Sequence, residues 1–219
     1  MTPVEFSFSV WKRSVRATIG GLVALLMAAF APACGGIPKT FYYTLQVTAA
    51  PAPTDPKTTY VLGVEHFRAP EMLRDNRMVY FESPTQVNFY EHHRWSADPA
   101  ALLSEYTAEW LGSTGVFVQV KVLPVREHPD YVLGGTVRSF EEIDSDAGTK
   151  VRLALALSLV RSSDHKLVWS DERREEAPVP ERGVTGVSTA LNTSCAQVLR
   201  EMVPGLIAQV EQDFKSSGK

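Results

Sequence analysis

The stretch VRLALALSLV, Val151 to Val160, alternates apolar residues with small or polar ones. In an extended chain successive side chains point to opposite faces, so Val151, Leu153, Leu155, Leu157 and Leu159 share one face. Arg152, Ala154, Ala156 and Ser158 share the other, which makes one face core and the other lightly polar or small. Asp144-Ser145-Asp146-Ala147-Gly148 precedes the stretch and Ser162-Ser163-Asp164-His165 follows it, both rich in turn formers. Strands over Tyr131–Ile143, Lys150–Arg161 and Leu167–Arg174 are therefore expected to form an antiparallel meander, with a further strand at Val116–Leu123 before them.

Toward the N-terminus a helix is bracketed by its own signals. Asp98 can cap it, Pro99 suits its first position and Gly112 its exit. Leu102, Leu103, Tyr106, Trp110 and Leu111 recur at steps of three and four, giving one apolar face. Before it, Met78–Phe81 and Val87–Tyr90 flank Ser83-Pro84-Thr85 as a hairpin. Phe41–Val47 and Tyr60–Phe67 are strands on either side of the loop Ala49–Pro56, whose prolines exclude it from a sheet interior. Toward the C-terminus, Pro178-Val179-Pro180 leads into a long helix. Its stripe is Val187, Leu191, Cys195, Val198, Met202, Leu206 and Val210, broadened by Leu199, Val203 and Ile207. Pro204 lies inside it and is expected to kink it. The order predicts an α+β fold: a single domain, mostly antiparallel sheet with two helices packed on one face.

The front of the chain has a different character. Lys12, Arg13 and Arg16 precede Ala17–Phe30, which has no charge, and Ala31-Pro32-Ala33 places small residues before Cys34. A basic flank, a short apolar run and a small-x-small ending describe a secretory signal peptide over residues 1–33. The run is shorter than the roughly 20 apolar residues of a bilayer span. Cys34 after Ala33 fits a lipoprotein site, where the thiol takes a diacylglycerol before cleavage, although Ala31 stands where a leucine is usual. Ala31-Pro32-Ala33 suits ordinary signal peptidase as well, so both routes stay open. Acyl chains on Cys34 would contribute about 0.8 kcal/mol per buried methylene and anchor the protein to a membrane. Gly35, in place of an inner-membrane-retaining aspartate, favours the outer membrane. The expected organisation is signal peptide 1–33, lipidated tether 34–40, one domain 41–214 and a flexible tail 215–219.

Composition narrows the function classes. The net charge is −3, and losing Lys12, Arg13 and Arg16 against Glu5 alone makes the remainder more acidic, so no nucleic-acid partner is expected. Of two cysteines, Cys195 falls on the apolar stripe of the last helix and reads as a buried small hydrophobe. His92 and His93 are neighbours that a regular strand would point to opposite faces, so they form no metal site, and a hydrolase built on them has little support. Gly134-Gly135 reads as a bulge or a close packing approach. Glu141, Glu142, Asp144 and Asp146 fit no calcium loop, and Glu172-Arg173-Arg174-Glu175-Glu176 reads as a charged strand end. No catalytic set, metal or cofactor is expected beyond the covalent lipid on Cys34. The segment from Phe67 to Trp95 is dense in arginines and aromatics, a composition of recognition surfaces and of packed sheet edges alike. Arg74, Arg77, Tyr80, Tyr90, Arg94 and Trp95 are the candidate partner or ligand surface.

These segments resemble a known family, the ABC-type transport auxiliary lipoproteins to which paraquat-inducible protein C belongs. The resemblance runs through Phe41-Tyr42-Tyr43-Thr44-Leu45, Ala69–Tyr80 and Tyr90-Glu91-His92-His93-Arg94-Trp95. Tyr131–Gly135, Phe140-Glu141-Glu142 and Leu167-Val168-Trp169-Ser170 complete it. It implies a non-catalytic lipoprotein facing the periplasm from the outer membrane of a Gram-negative-type envelope. Its implied partners are an MCE-domain protein, a permease and an ATPase that together move lipids or other hydrophobic molecules between the two membranes. Self-association into a homo-oligomer is compatible with such a partner. The alternatives are a stand-alone periplasmic lipid-binding carrier or an outer-membrane structural lipoprotein.

Overall fold

A computed structural model describes residues 38–48, 55–126, 128–145 and 148–216. The signal peptide, Cys34 and most of the tether lie outside the described residues. The compact unit Lys39–Lys219 is built on an eight-stranded sheet. Its strands are β1 (Phe41–Tyr43), β2 (Val61–Val64), β3 (Arg77–Ser83), β4 (Gln86–Trp95), β5 (Gln119–Val122), β6 (Tyr131–Ile143), β7 (Lys150–Arg161) and β8 (Lys166–Pro178). Helix α1 (Pro99–Ser113) separates β4 from β5, and helix α2 (Val184–Ser216) follows β8.

The alternating stretch is β7, and its period decides the layers. Val151, Leu153, Leu155, Leu157 and Leu159 are buried, each opposite a residue of β6 on the same face, as in Leu133↔Leu159 and Val137↔Leu155. That face carries both helices: α1 touches β2, β5 and β6, α2 touches β6, β7 and β8, and the two helices touch each other. Gly205 lets α2 approach the Trp169 ring, since a Cβ there would come within 3.1 Å of its Nε1. Tyr131 donates a 2.9 Å hydrogen bond to Asp213 and Arg161 pairs with the same carboxylate at 2.8 Å, which fastens the end of α2 to β6 and β7. The α+β class, the single sheet and the one-sided helices are as the sequence predicts.

Strand pairing holds what local patterns do not announce. The ladders β3–β4, β6–β7 and β7–β8 are antiparallel and carry most of the paired residues, so β6, β7 and β8 form the expected meander. β5 stands apart from it, parallel to β2 at the sheet edge. β6 is long enough to take two partners along its other side, β2 near its start and β3 near its end, both parallel. Between them Glu65 and Arg68 donate to Leu133 and Gly135, and Val137 donates to Arg68, so the central strand leaves few backbone groups unpaired.

The helix ends follow capping chemistry. Asp98 accepts from the Ala101 amide at 3.0 Å, and Pro99 sits where its missing donor costs nothing. The exit differs from expectation: α1 runs past Gly112 to Ser113, and Gly115 takes the left-handed conformation at φ 66°. Glycine bears that φ without a Cβ clash. α2 is continuous through Pro204 and includes Lys215 and Ser216. Those two residues, expected in the flexible tail, are in the last helical turn, because the apolar contacts of Val210 and Phe214 carry the helix onward.

Candidate functional site

The residues expected on a partner surface separate into three places. Arg74, Arg77 and Arg94 gather around the bend between the 3-10 turn Glu71–Leu73 and β3. Arg77 pairs with Asp75 at 2.6 Å, Arg94 donates to Asn76 at 2.9 Å, and Arg74 pairs with Glu71 at 2.8 Å. Burial pushes the Asp75 carboxyl up, but the hydrogen bonds from Arg77 and the charges of Arg77 and Arg94 outweigh it and hold the group below its usual range. The Arg77 guanidinium also lies 4.5 Å from the centroid of Phe89. These contacts tie the start of β3 to the end of β4 where the hairpin register breaks between Arg77 and Val79.

Tyr80 and Tyr90 form the second group. Their rings lie 4.7 Å apart, and Tyr90 reaches past β3 to donate a 2.9 Å hydrogen bond to Glu142 on β6. Burial raises the Glu142 carboxyl above its ordinary value, the Tyr90 hydrogen bond lowers it in part, and Asp144 adds to the rise. Burial and the same hydrogen bond push the Tyr90 phenol up. Beside it Glu141 is buried on the opposite face, accepting from the Phe140 amide at 2.6 Å with Arg152 3.7 Å away. Burial raises the Glu141 carboxyl as well, against the lowering from those hydrogen bonds and Arg152.

Trp95, expected on the same surface, is instead 1% exposed and packs on Phe140 with ring centroids 4.9 Å apart, so its side chain belongs to the core. The Arg-aromatic composition that suggested a surface is shared by sheet edges whose large rings turn inward.

His93 lies against Phe41 and Tyr43 and takes a 2.9 Å hydrogen bond from or to the Tyr43 hydroxyl, while His92 faces Glu91 at 3.9 Å. Cys195 is buried and free, and burial pushes its thiol up. Among the described residues no group of three or more His, Cys, Asp or Glu is placed to hold a metal ion. No helix of the described residues is long and apolar enough to cross a membrane.

Two open features were not singled out as sites from the sequence. The first is the sheet face away from the helices, where Gly134, Thr136, Ala156, Ser158 and Ser170 floor a groove of about 570 Å³ banked by Glu65, Arg68 and Glu172. An adjoining hollow of about 590 Å³ continues it toward His128 and His165. The small residues opposite the leucines of β7 are the signal that marks this face. The second is β1, whose Phe41 and Tyr42 rings stand in solvent at the sheet edge. Gly135 also lines the groove, but its missing Cβ would point the other way: it would lie 2.5 Å from the Phe67 ring, which makes the glycine a close packing contact on the core face.

The geometry is that of an α+β domain in which many ionisable groups are bonded to one another and whose open surfaces include a sheet face and an aromatic edge. The family described as ABC-type transport auxiliary lipoprotein component matches residues 43–203. The chain belongs to this family. A crystal structure of protein XCC0632 from Xanthomonas campestris, of the DUF330 family, is 22% identical with a TM-score of 0.68, covering 79% of this chain and 98% of that one. A second crystal structure, of an uncharacterised protein, is 20% identical with a TM-score of 0.62, covering 77% of this chain and 99% of that one. Both share the fold. No curated protein matches the chain.

Proposed function

We propose that the protein is a non-catalytic auxiliary lipoprotein of an MCE-type ABC transport system. In this reading Cys34 carries the acyl anchor and holds the domain at the periplasmic face of the outer membrane. The system would move lipids or other hydrophobic molecules between the inner and outer membranes, with an MCE-domain protein, a permease and an ATPase as partners. The observation that carries the reading is the family match, which spans β2 to β8, α1 and most of α2. The structure supports it through what its polar groups do: Glu142 is bonded to Tyr90, His93 to Tyr43 and Asp213 to Tyr131 and Arg161. Side chains so committed serve a rigid docking body better than a reaction centre.

The test is cross-linking in the native host, followed by purification through a tag on the C-terminus. Permease, ATPase and MCE-domain protein recovered together are the expected result. Recovery of bound lipid without any transporter component would replace the reading with a stand-alone carrier. Metabolic labelling with a fatty acid, lost in Cys34→Ala, checks the anchor separately.

A further inference from the structure

Strand β1 is the outermost strand at its end of the sheet and is only three residues long. Phe41 is 44% exposed and Tyr42 65% exposed, although both are large aromatic residues. They point to opposite faces of the strand, so the edge itself, rather than one face, is aromatic. The edge is not loose. Parallel pairing sets Phe41, Tyr42 and Tyr43 beside His93, Arg94 and Trp95. Phe41 stacks on His93 with centroids 5.2 Å apart, and Tyr43 meets the buried Trp95 edge-on. Lys39 places its ammonium 5.1 Å from the Phe41 centroid.

Rigid aromatic rings beside a lysine are the chemistry of a membrane interface. Tyrosine and its relatives settle at headgroup level, and a lysine stem lies along apolar surface while its ammonium reaches phosphate. The covalent chain supplies the choice of occupant. From Cys34 to Phe41 the backbone can span at most about 25 Å when fully extended. An acyl group on Cys34 therefore keeps β1 close to the bilayer, while β8, five strand spacings or about 24 Å across the sheet, can lie that much farther away.

We propose that the β1 edge, through Lys39, Phe41 and Tyr42, inserts into the headgroup layer of the membrane that holds Cys34. The contact would orient the domain with β1 toward the bilayer. This rests on the reading of Cys34 as the lipid anchor.

The experiment uses the mature protein purified from membranes, its acyl group confirmed by mass spectrometry. It is reconstituted in vesicles of phosphatidylethanolamine with phosphatidylglycerol, with or without lipids carrying a nitroxide near the headgroup. Tyr42→Trp and Leu167→Trp are compared with the unsubstituted protein; Leu167 is 55% exposed on β8, so both sites accept an indole. Loss of most of the emission of the indole introduced at position 42, with that at position 167 unchanged, is the expected result. Equal quenching at both positions overturns the proposed orientation. No quenching at position 42 in acylated protein overturns the contact and leaves a protein, or a second copy of this chain, to cover the edge. A mass spectrum without an acyl group overturns the anchor first, and the proposal falls with it.

Discussion

Gly135→Ala probes the closest approach in the core. A Cβ on Gly135 would lie 2.5, 2.6 and 2.6 Å from three atoms of the Phe67 ring, distances that real Cβ contacts do not reach. The ring cannot swing aside freely, because Phe67 is 2% exposed and its amide is hydrogen-bonded to Ser104 on α1. Overpacking of this kind costs about 1–3 kcal/mol. Replacing glycine inside a regular element returns roughly 0.5–1 kcal/mol through the unfolded chain. Three contacts under 3 Å put this clash in the upper part of that range, about 2–3 kcal/mol, so the net loss is about 1–2.5 kcal/mol, which for a domain of this size lowers Tm by about 2–10 °C. Urea unfolding of the mature chain, followed by tryptophan fluorescence, should show an earlier midpoint with an unchanged slope. Phe67→Leu removes the ring plane that the new methyl strikes. In the double variant the two losses should fall short of their sum by more than about 0.5 kcal/mol. A Gly135→Ala protein as stable as the original, or strictly additive losses, would refute the packing argument.

Trp95→Ala should destabilise the domain by about 3–5 kcal/mol, as removal of a buried tryptophan does, while Arg74→Ala should stay within roughly 0.5 kcal/mol. Equal small effects in urea melts would return Trp95 to the surface. Asp98→Ala removes the α1 cap and should cost about 1 kcal/mol, read by the same melts. Burial raises the Glu142 carboxyl above its ordinary 4.5, so the folded state holds the proton more tightly than the unfolded chain. Its contribution to stability is complete below pH 4.5 and is lost as pH rises through the folded-state value. Glu142→Gln keeps an acceptor for Tyr90 and removes the charge, so stability should fall less between pH 4.5 and neutrality than in the original protein. An unchanged pH profile would show that Glu142 does not contribute this linkage.

Much of the fold was legible because its signals are local. The alternation at Val151–Leu159 gives a strand with one buried face, and Asp98-Pro99 opens a helix at the bond that the Ala101 amide makes. The stripe through Cys195 gives α2 its buried side. The candidate site was less legible. Arginines and aromatics at Arg74–Trp95 suit a surface or a packed edge equally, and only the contacts separate Arg74 in solvent from Trp95 on Phe140. Phe41 and Tyr42 looked like any β-forming pair until β1 proved to be an edge strand.

Periodicity, caps and turn residues determine which segments wind, which extend and which side of each turns inward, since all three depend on neighbours a few residues away. Tertiary structure alone decided that β2 and β3 share one side of β6, that β5 leaves the meander, and that β1 closes the sheet beside β4. Those choices come from backbone hydrogen bonds between segments far apart in the chain. Whether an aromatic ring ends in the core, like Trp95, or at an open edge, like Tyr42, follows from them.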